Sequence, residues 1–399
     1  MKFRRILSLV LAVLCVMSVT SLVSCGAKNY AENNTEFVIG ISGPLSGDAA
    51  VYGQAVQNSA QLAVDEINAA NGLNGTKFKL VVLDDKADDQ EVKTTYNALI
   101  KQGVQVTLGT VTTGAGLAFT DLSVKHNMFF LTPSATGDDI PANANGFQMC
   151  FADSNQGTEA AKYVNSLFKD KGATIGVLSK SDDAYSTGIL TKFKAELDSS
   201  ITLKEASFSG KSVASFASQI QTLKDCKFIF MPIYYTPASQ FIKEAKDIVA
   251  PDAVYYGCDG LDGINTVENF DVNAIPQEIS FLSHFNSEAT EGPAAEFITK
   301  YTARFGASTL NQFGASAYDC VYAIFGAMKK AIDAGKDIPV NISPSALCEI
   351  LKEQFHGGYT FTGITGEYKD GVQSTITWDD NGYVKKTAMK FIVNPNRAQ

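Results

Sequence analysis

Ile39-Gly40-Ile41-Ser42-Gly43-Pro44-Leu45-Ser46-Gly47 opens the first folded segment of the chain, with Tyr52-Gly53 just beyond it. Next comes Gln61-Leu62-Ala63-Val64-Asp65-Glu66-Ile67-Asn68-Ala69-Ala70-Asn71-Gly72. An apolar run, a Gly/Pro/Ser turn and a helix-period run closed by Asn-Gly predict strand, loop and helix. In open α/β sheets ligands bind beyond the carboxyl ends of the strands. The loop therefore directs small groups and Tyr52 toward such an edge.

The same alternation continues outward. Strands are predicted at 37–41, 78–84, 107–109, 129–131, 174–179, 228–231 and 254–257. Helices are predicted at 59–70, 88–102, 117–126, 158–171, 187–197, 216–223, 237–248, 294–305, 313–334 and 343–352, with a β-like tail from residue 361. Repeated βα units imply an α/β fold with parallel sheets covered by helices on both faces. A chain of this length exceeds one core, so two domains are expected. No Pro/Gly/Ser linker separates them, which points to lobes sharing several chain crossings.

The N-terminus bears on compartment. Lys2, Arg4 and Arg5 precede a nearly continuous apolar stretch from Ile6 to Val19, the make-up of a secretory signal. It ends in Leu22-Val23-Ser24-Cys25-Gly26, which looks like a lipoprotein processing site. That likeness implies cleavage before Cys25 and a diacylglycerol on its sulfur, with residues 25–35 as a polar tether. The alternative is an uncleaved anchor, for which the stretch is short. Loss of residues 1–24 removes three basic and no acidic side chains, taking the formal charge from −9 to −12. Such an acidic surface argues against nucleic acid and anionic lipid as partners. Beyond Cys15 and Cys25 five cysteines remain, an odd number without CxxC spacing. They are expected to be small buried hydrophobes.

Enzymatic signatures are missing. The three histidines, His126, His284 and His356, have no triad or metal-ligand partner nearby in sequence. No GxSxG, HExxH or P-loop occurs, and the Asp84-Asp85 and Asp88-Asp89 cluster lacks EF-hand spacing. A strand end followed by a helix N-cap accounts for that cluster. No cofactor is expected.

Binding is better supported. Gly109-Thr110-Val111-Thr112-Thr113-Gly114 and Thr132-Pro133-Ser134-Ala135-Thr136-Gly137 each follow a predicted strand. Hydroxyls and free N–H groups at a helix start can hold an anion without a basic residue. Either loop alone is better explained by N-capping; the two side by side point to a carboxylate site. Tyr256-Gly257-Cys258-Asp259-Gly260-Leu261-Asp262-Gly263 sets two carboxylates after another strand, to face a cleft or to cap the next helix. Tyrosines follow several strands: Tyr52, Tyr185 in Asp182-Asp183-Ala184-Tyr185-Ser186-Thr187-Gly188, and the pair Tyr234-Tyr235. An aromatic ring can wall an apolar pocket while its hydroxyl bonds a polar group.

These stretches resemble the extracytoplasmic amino-acid-binding proteins of bacterial ABC importers, of the leucine/isoleucine/valine-binding kind. The likeness extends over essentially the whole chain after residue 35. It implies two doubly wound parallel-sheet lobes joined by a multi-strand hinge, a type I Venus flytrap. Lobe one would comprise residues 36–152 plus 285–384, and lobe two residues 153–283 plus 386–396. The resemblance further implies that Thr113 and Thr136 donate to the substrate's α-carboxylate. The carbonyls of Val111 and Ser134 would accept from its ammonium, and Asp259 would pair with it, where branched-chain binders often carry glutamate. Tyr52, Tyr185 and Tyr235 would wall the side chain. A disulfide common in such proteins is ruled out here by the absence of cysteine from 84–88 and 111–113. The implied partners are an amino acid, an ABC permease with its ATPase subunits, and the membrane through the lipid anchor, with the protein a monomer. Other ligands open to the same scaffold are urea, an amide or an aromatic acid, and another possible output is a signalling partner.

Overall fold

The computed structural model describes residues 28–141 and 144–395. The expected signal segment and Cys25 lie outside these residues. The first half runs β1 (Phe37–Gly43), α1 (Ala50–Ala69), β2 (Phe78–Asp84), α2 (Asp89–Lys101), β3 (Val106–Thr107), α3 (Thr113–His126), β4 (Phe130–Thr132) and β5 (Gly146–Gln148). These five strands form one parallel sheet in the order β2-β1-β3-β4-β5. Every residue of β1 is buried, as a central parallel strand with helices on both faces requires.

The chain then enters α4 (Asp153–Phe168), β6 (Thr174–Lys180), α5 (Ala184–Glu196), β7 (Thr202–Phe208), α6 (Ala217–Leu223), β8 (Phe228–Met231), α7 (Tyr235–Ala245), β9 (Val254–Gly257) and β10 (Glu278–Ser283). It returns through α8 (Gly292–Phe305), α9 (Gln312–Asp333) and α10 (Pro344–His356) to pack on the first sheet, α9 lying along α1. Two small hairpin-like pairs follow, made from β11 (Thr360–Phe361), β12 (Tyr368–Lys369), β13 (Val372–Gln373) and β14 (Ile376–Thr377). Finally β15 (Met389–Ile392) joins the second sheet antiparallel to β10, giving the order β15-β10-β9-β8-β6-β7. The chain thus passes between the two sheets after β5, after β10 and before β15.

Three differences from the sequence reading are informative. Helix α1 begins at Ala50, nine residues before the predicted start, so Tyr52 lies in its first turn and not in a loop. Gly53 gave the loop-like signal. A Cβ there would stand 1.9 Å from the Pro44 carbonyl oxygen, so the glycine marks close helix-to-loop packing. Edge strand β7 is largely polar and half-exposed, which hid it from a search for apolar runs. Strands β5 and β10 were also missed, though both are almost wholly buried. The five remaining cysteines are free and buried. No helix among the described residues is long and apolar enough to cross a membrane.

Candidate ligand-binding site

The carboxyl edges of the two sheets face each other, and their loops build opposite walls of one tight cavity with room for about 10 Å3. The first wall comes from the loops after β3 and β4. Thr132 Oγ1 donates to the Thr110 carbonyl at 2.8 Å and accepts from the Ala135 N–H at 3.0 Å. One buried hydroxyl therefore clamps both loops side by side. Gly137 permits the approach, since a Cβ there would be 2.7 Å from Thr113 Cγ2. Thr112 is the N-cap residue of α3, yet its side chain makes no capping hydrogen bond. The capping explanation of this loop therefore fails. Thr113 Oγ1 and Thr136 Oγ1 instead meet at 3.2 Å. Val111, Ser134 and Thr136 line the cavity, and Thr113, expected there, does not but touches it through the Thr136 hydroxyl. The first-turn N–H groups of α3 have no intrahelical partner and point the positive end of the helix at this wall.

The second wall carries the charge. Asp259 lies in a single 3-10 turn after β9 and is 1% exposed. Its backbone N–H donates to Gln156 Oε1 of α4 at 3.0 Å. Its Oδ1 accepts from the Tyr185 hydroxyl at 2.7 Å, and that hydroxyl accepts from the Gly260 N–H at 2.8 Å. A side chain at residue 260 would strike the Tyr185 hydroxyl at 2.7 Å, so the motif needs glycine. The other oxygen, Oδ2, is buried without a hydrogen-bond partner. The Gln156 amide is close enough to stabilise the carboxylate, but makes no well-formed hydrogen bond to it. Burial pushes the Asp259 pKa up to about 7 against the partial relief from Tyr185 and Gln156.

Aromatic rings close the remaining sides. Tyr185 stacks on Tyr234 with centroids 4.7 Å apart and planes 10° apart. Tyr52 meets Phe313 edge-on at 4.7 Å, and its hydroxyl donates across the cleft to the Gly260 carbonyl. Tyr52, Tyr185, Tyr234 and Phe313 all line the cavity. Tyr235 does not. It is the first residue of α7 and packs edge-on behind Tyr52 at 5.0 Å. The expectation for the tyrosine pair is corrected accordingly: Tyr234, the residue before the helix, faces the cavity, with the Thr113 backbone against its hydroxyl. No lysine, arginine or histidine lines this space.

Comparisons with known proteins, by sequence and by structure, bear on this architecture. A profile of the family described as periplasmic binding protein matches residues 36–350. The chain belongs to the periplasmic binding protein family. Among its relatives is the Leu/Ile/Val-binding protein BraC3 of Rhizobium johnstonii, 29% identical over 333 residues, covering 77% of this chain and 86% of that one. Another is the leucine-, isoleucine-, valine-, threonine- and alanine-binding protein of Pseudomonas aeruginosa, 28% identical over 263 residues, covering 64% and 67%. The solved structure of LivJ from Streptococcus pneumoniae, in complex with isoleucine, superposes with a TM-score of 0.76 at 26% identity, covering 91% of this chain and 97% of that one. A benzoate-bound solute-binding protein from R. palustris shares the fold at a TM-score of 0.74 and 15% identity.

A periplasmic binding protein captures solute and performs no bond chemistry, and in this one the three histidines, Asp88 and Asp262 have structural partners. His126 is bonded to the Leu122 carbonyl and stacks on Tyr96. His284 Nε2 meets Ser316 Oγ at 2.7 Å, and burial holds its pKa far below the usual value. His356 Nε2 lies 3.2 Å from the Ala144 carbonyl oxygen. Asp88 caps α2 by accepting from the N–H groups of Gln90 and Glu91. Asp262 does cap a helix, but one on the other side of the cleft: its Oδ2 accepts from the Gln312 N–H at the start of α9. Phe313 and Gln156 escaped the sequence reading. Both sit in helices that look purely structural until the chain is folded.

Proposed function

We propose that this periplasmic binding protein captures a branched-chain or other small aliphatic α-amino acid between its walls and hands it to the permease of an ABC importer. One observation carries the proposal: Asp259 presents a buried, unpartnered carboxylate oxygen to a cavity whose opposite wall is built from hydroxyls and helix N–H groups. A zwitterion satisfies both walls at once. Its carboxylate would accept from Thr113, Thr136 and the start of α3, and its ammonium would lie between Asp259 and the Val111 and Ser134 carbonyls. The rings of Tyr52, Tyr185, Tyr234 and Phe313 would enclose an apolar side chain. The relatives that bind leucine, isoleucine and valine, and the isoleucine-bound LivJ structure, support the same ligand class. An aromatic acid or urea is disfavoured because either would leave Asp259 buried without a cation.

In this scheme residues 36–152 plus 285–384 move against 153–283 plus 386–396 about the three crossings. The contacts that exist only when the walls meet set the closed population. Tyr52 to Gly260, Asp262 to Gln312, and Lys211 to Asp88 at 2.7 Å are such contacts. A lipid on Cys25 would keep the monomer beside its permease. Calorimetry on residues 26–399, stripped of ligand by unfolding and refolding, tests the proposal with leucine, isoleucine, valine, alanine, phenylalanine and urea. One-to-one binding of an aliphatic amino acid, lost in Asp259→Ala, is expected. Binding of urea alone, or no binding of any amino acid by folded protein, would rule it out.

A further inference from the structure

A second buried acid stands behind the first wall and belongs to no element of the scheme above. Asp153 is the first residue of α4 and is 1% exposed. Its backbone N–H donates across the cleft to the Thr136 carbonyl at 2.8 Å, and its side chain lies beside the Thr136 hydroxyl. Its Oδ1 is buried and has no hydrogen-bond partner. A Cβ on Gly188 of α5 would stand 3.3 Å from Oδ2, so the helix that carries Tyr185 packs directly on this carboxyl.

The proton count at the wall is the difficulty. Thr113 and Thr136 each own one hydroxyl proton, and their oxygens are already 3.2 Å apart. If Asp153 were ionised, it would take the Thr136 proton. Thr136 would then have no proton for a substrate carboxylate, and the single Thr113 proton could serve Thr136 or the ligand but not both. A neutral Asp153 reverses the chain, because it donates into Thr136 and frees that proton for the cavity. The charged groups acting most strongly on Asp153 are carboxylates: Asp259 from the turn after β9, Asp138 from the loop after β4, and Asp183 capping α5. The thiols of Cys150 and Cys258 and the Tyr234 phenol also face it. Burial and these three acids raise its pKa well above the usual carboxylate range, against the pull of Thr136 and of the α4 N-terminus.

We infer that Asp153 is a positioning residue: a neutral acid that donates into Thr136 so that the Thr113–Thr136 pair turns its protons toward the carboxylate of the ligand. The inference rests on the amino-acid reading of the site. It predicts that the infrared difference spectrum between wild-type protein and Asp153→Asn, both saturated with isoleucine at pH 7, contains a neutral-carboxyl band lost in the variant. It also predicts coupling. Asp153→Ala should weaken isoleucine binding at least fivefold when Thr136 is intact and less than twofold in the Thr136→Val background, with Asp153→Asn restoring affinity to within threefold. Far-ultraviolet circular dichroism and melting check that each variant is folded. If isoleucine binds but the neutral-carboxyl band is absent, or the two Asp153→Ala effects are equal, Asp153 has no such role. If the wild type itself binds no amino acid, the reading of the site fails first and this inference with it.

Discussion

The two walls of the cleft differ in how complete each is by itself. The first wall is neutral, its loops are tied to one another through Thr132, and the Thr113 and Thr136 hydroxyls meet each other. The second wall holds Asp259, a carboxylate supported on one oxygen and orphaned on the other. A neutral hydroxyl pair can wait for ligand at little cost, whereas a buried charge without a counterion is unstable until one arrives. On the proposed function, the first wall would select for geometry and the second would supply the energy difference between empty and filled.

The largest effect follows from the charged wall. Asp259→Ala should cost isoleucine binding about 100-fold or more, as removal of one member of a buried charged pair usually costs about 2–5 kcal/mol. A loss under tenfold by calorimetry would mean the ammonium is held elsewhere. The converse holds for stability. The Asp259 pKa is raised to about 7 in the ligand-free protein, so its favourable contribution is present below the usual aspartate range and is lost as pH rises through about 7. Asp259→Asn should therefore stabilise the ligand-free protein at pH 8 by roughly 2–4 kcal/mol while abolishing binding. Chemical denaturation at pH 4 and pH 8 checks this, and a stabilisation that does not grow with pH would contradict it.

The neutral wall should show smaller losses. Thr113→Val should weaken binding by about 10-fold, the range of one hydrogen bond to a charged group. Tyr52→Phe removes the hydroxyl contact to Gly260 while keeping the ring against Phe313, and should raise the isoleucine off-rate about fivefold, as for a single neutral hydrogen bond. The smallest contrast separates the tyrosine pair. Tyr234→Phe should weaken binding a few-fold and Tyr235→Phe less than twofold, because only Tyr234 faces the cavity. Equal effects would erase that distinction.

The neutral wall was also the more legible one. Strand, hydroxyl-rich loop and helix start are consecutive in sequence, so the two loops could be nominated from local order, while Thr113 and Thr136 within them came from the family resemblance. Asp259 was legible as a carboxylate in a glycine turn after a strand, but its orphaned oxygen is a property of packing. Tyr52 was nominated but placed in a loop, because Gly53 has the same signature in a turn as in a tight helix contact. The choice within Tyr234-Tyr235 depends on where α7 begins, and a one-residue difference at a helix start turns a side chain by about 100°. Asp153, Gln156 and Phe313 reach the site only through the crossings between sheets, which leave no local pattern.

The most direct measurement is calorimetric titration of ligand-stripped protein with isoleucine and with 3-methylpentanoic acid, the same molecule without its amine. One-to-one binding of isoleucine, with the acid at least 100-fold weaker, is the predicted result. Equal binding of the two would contradict the role of Asp259 as the partner of an ammonium and recast the cleft as a site for simple carboxylic acids.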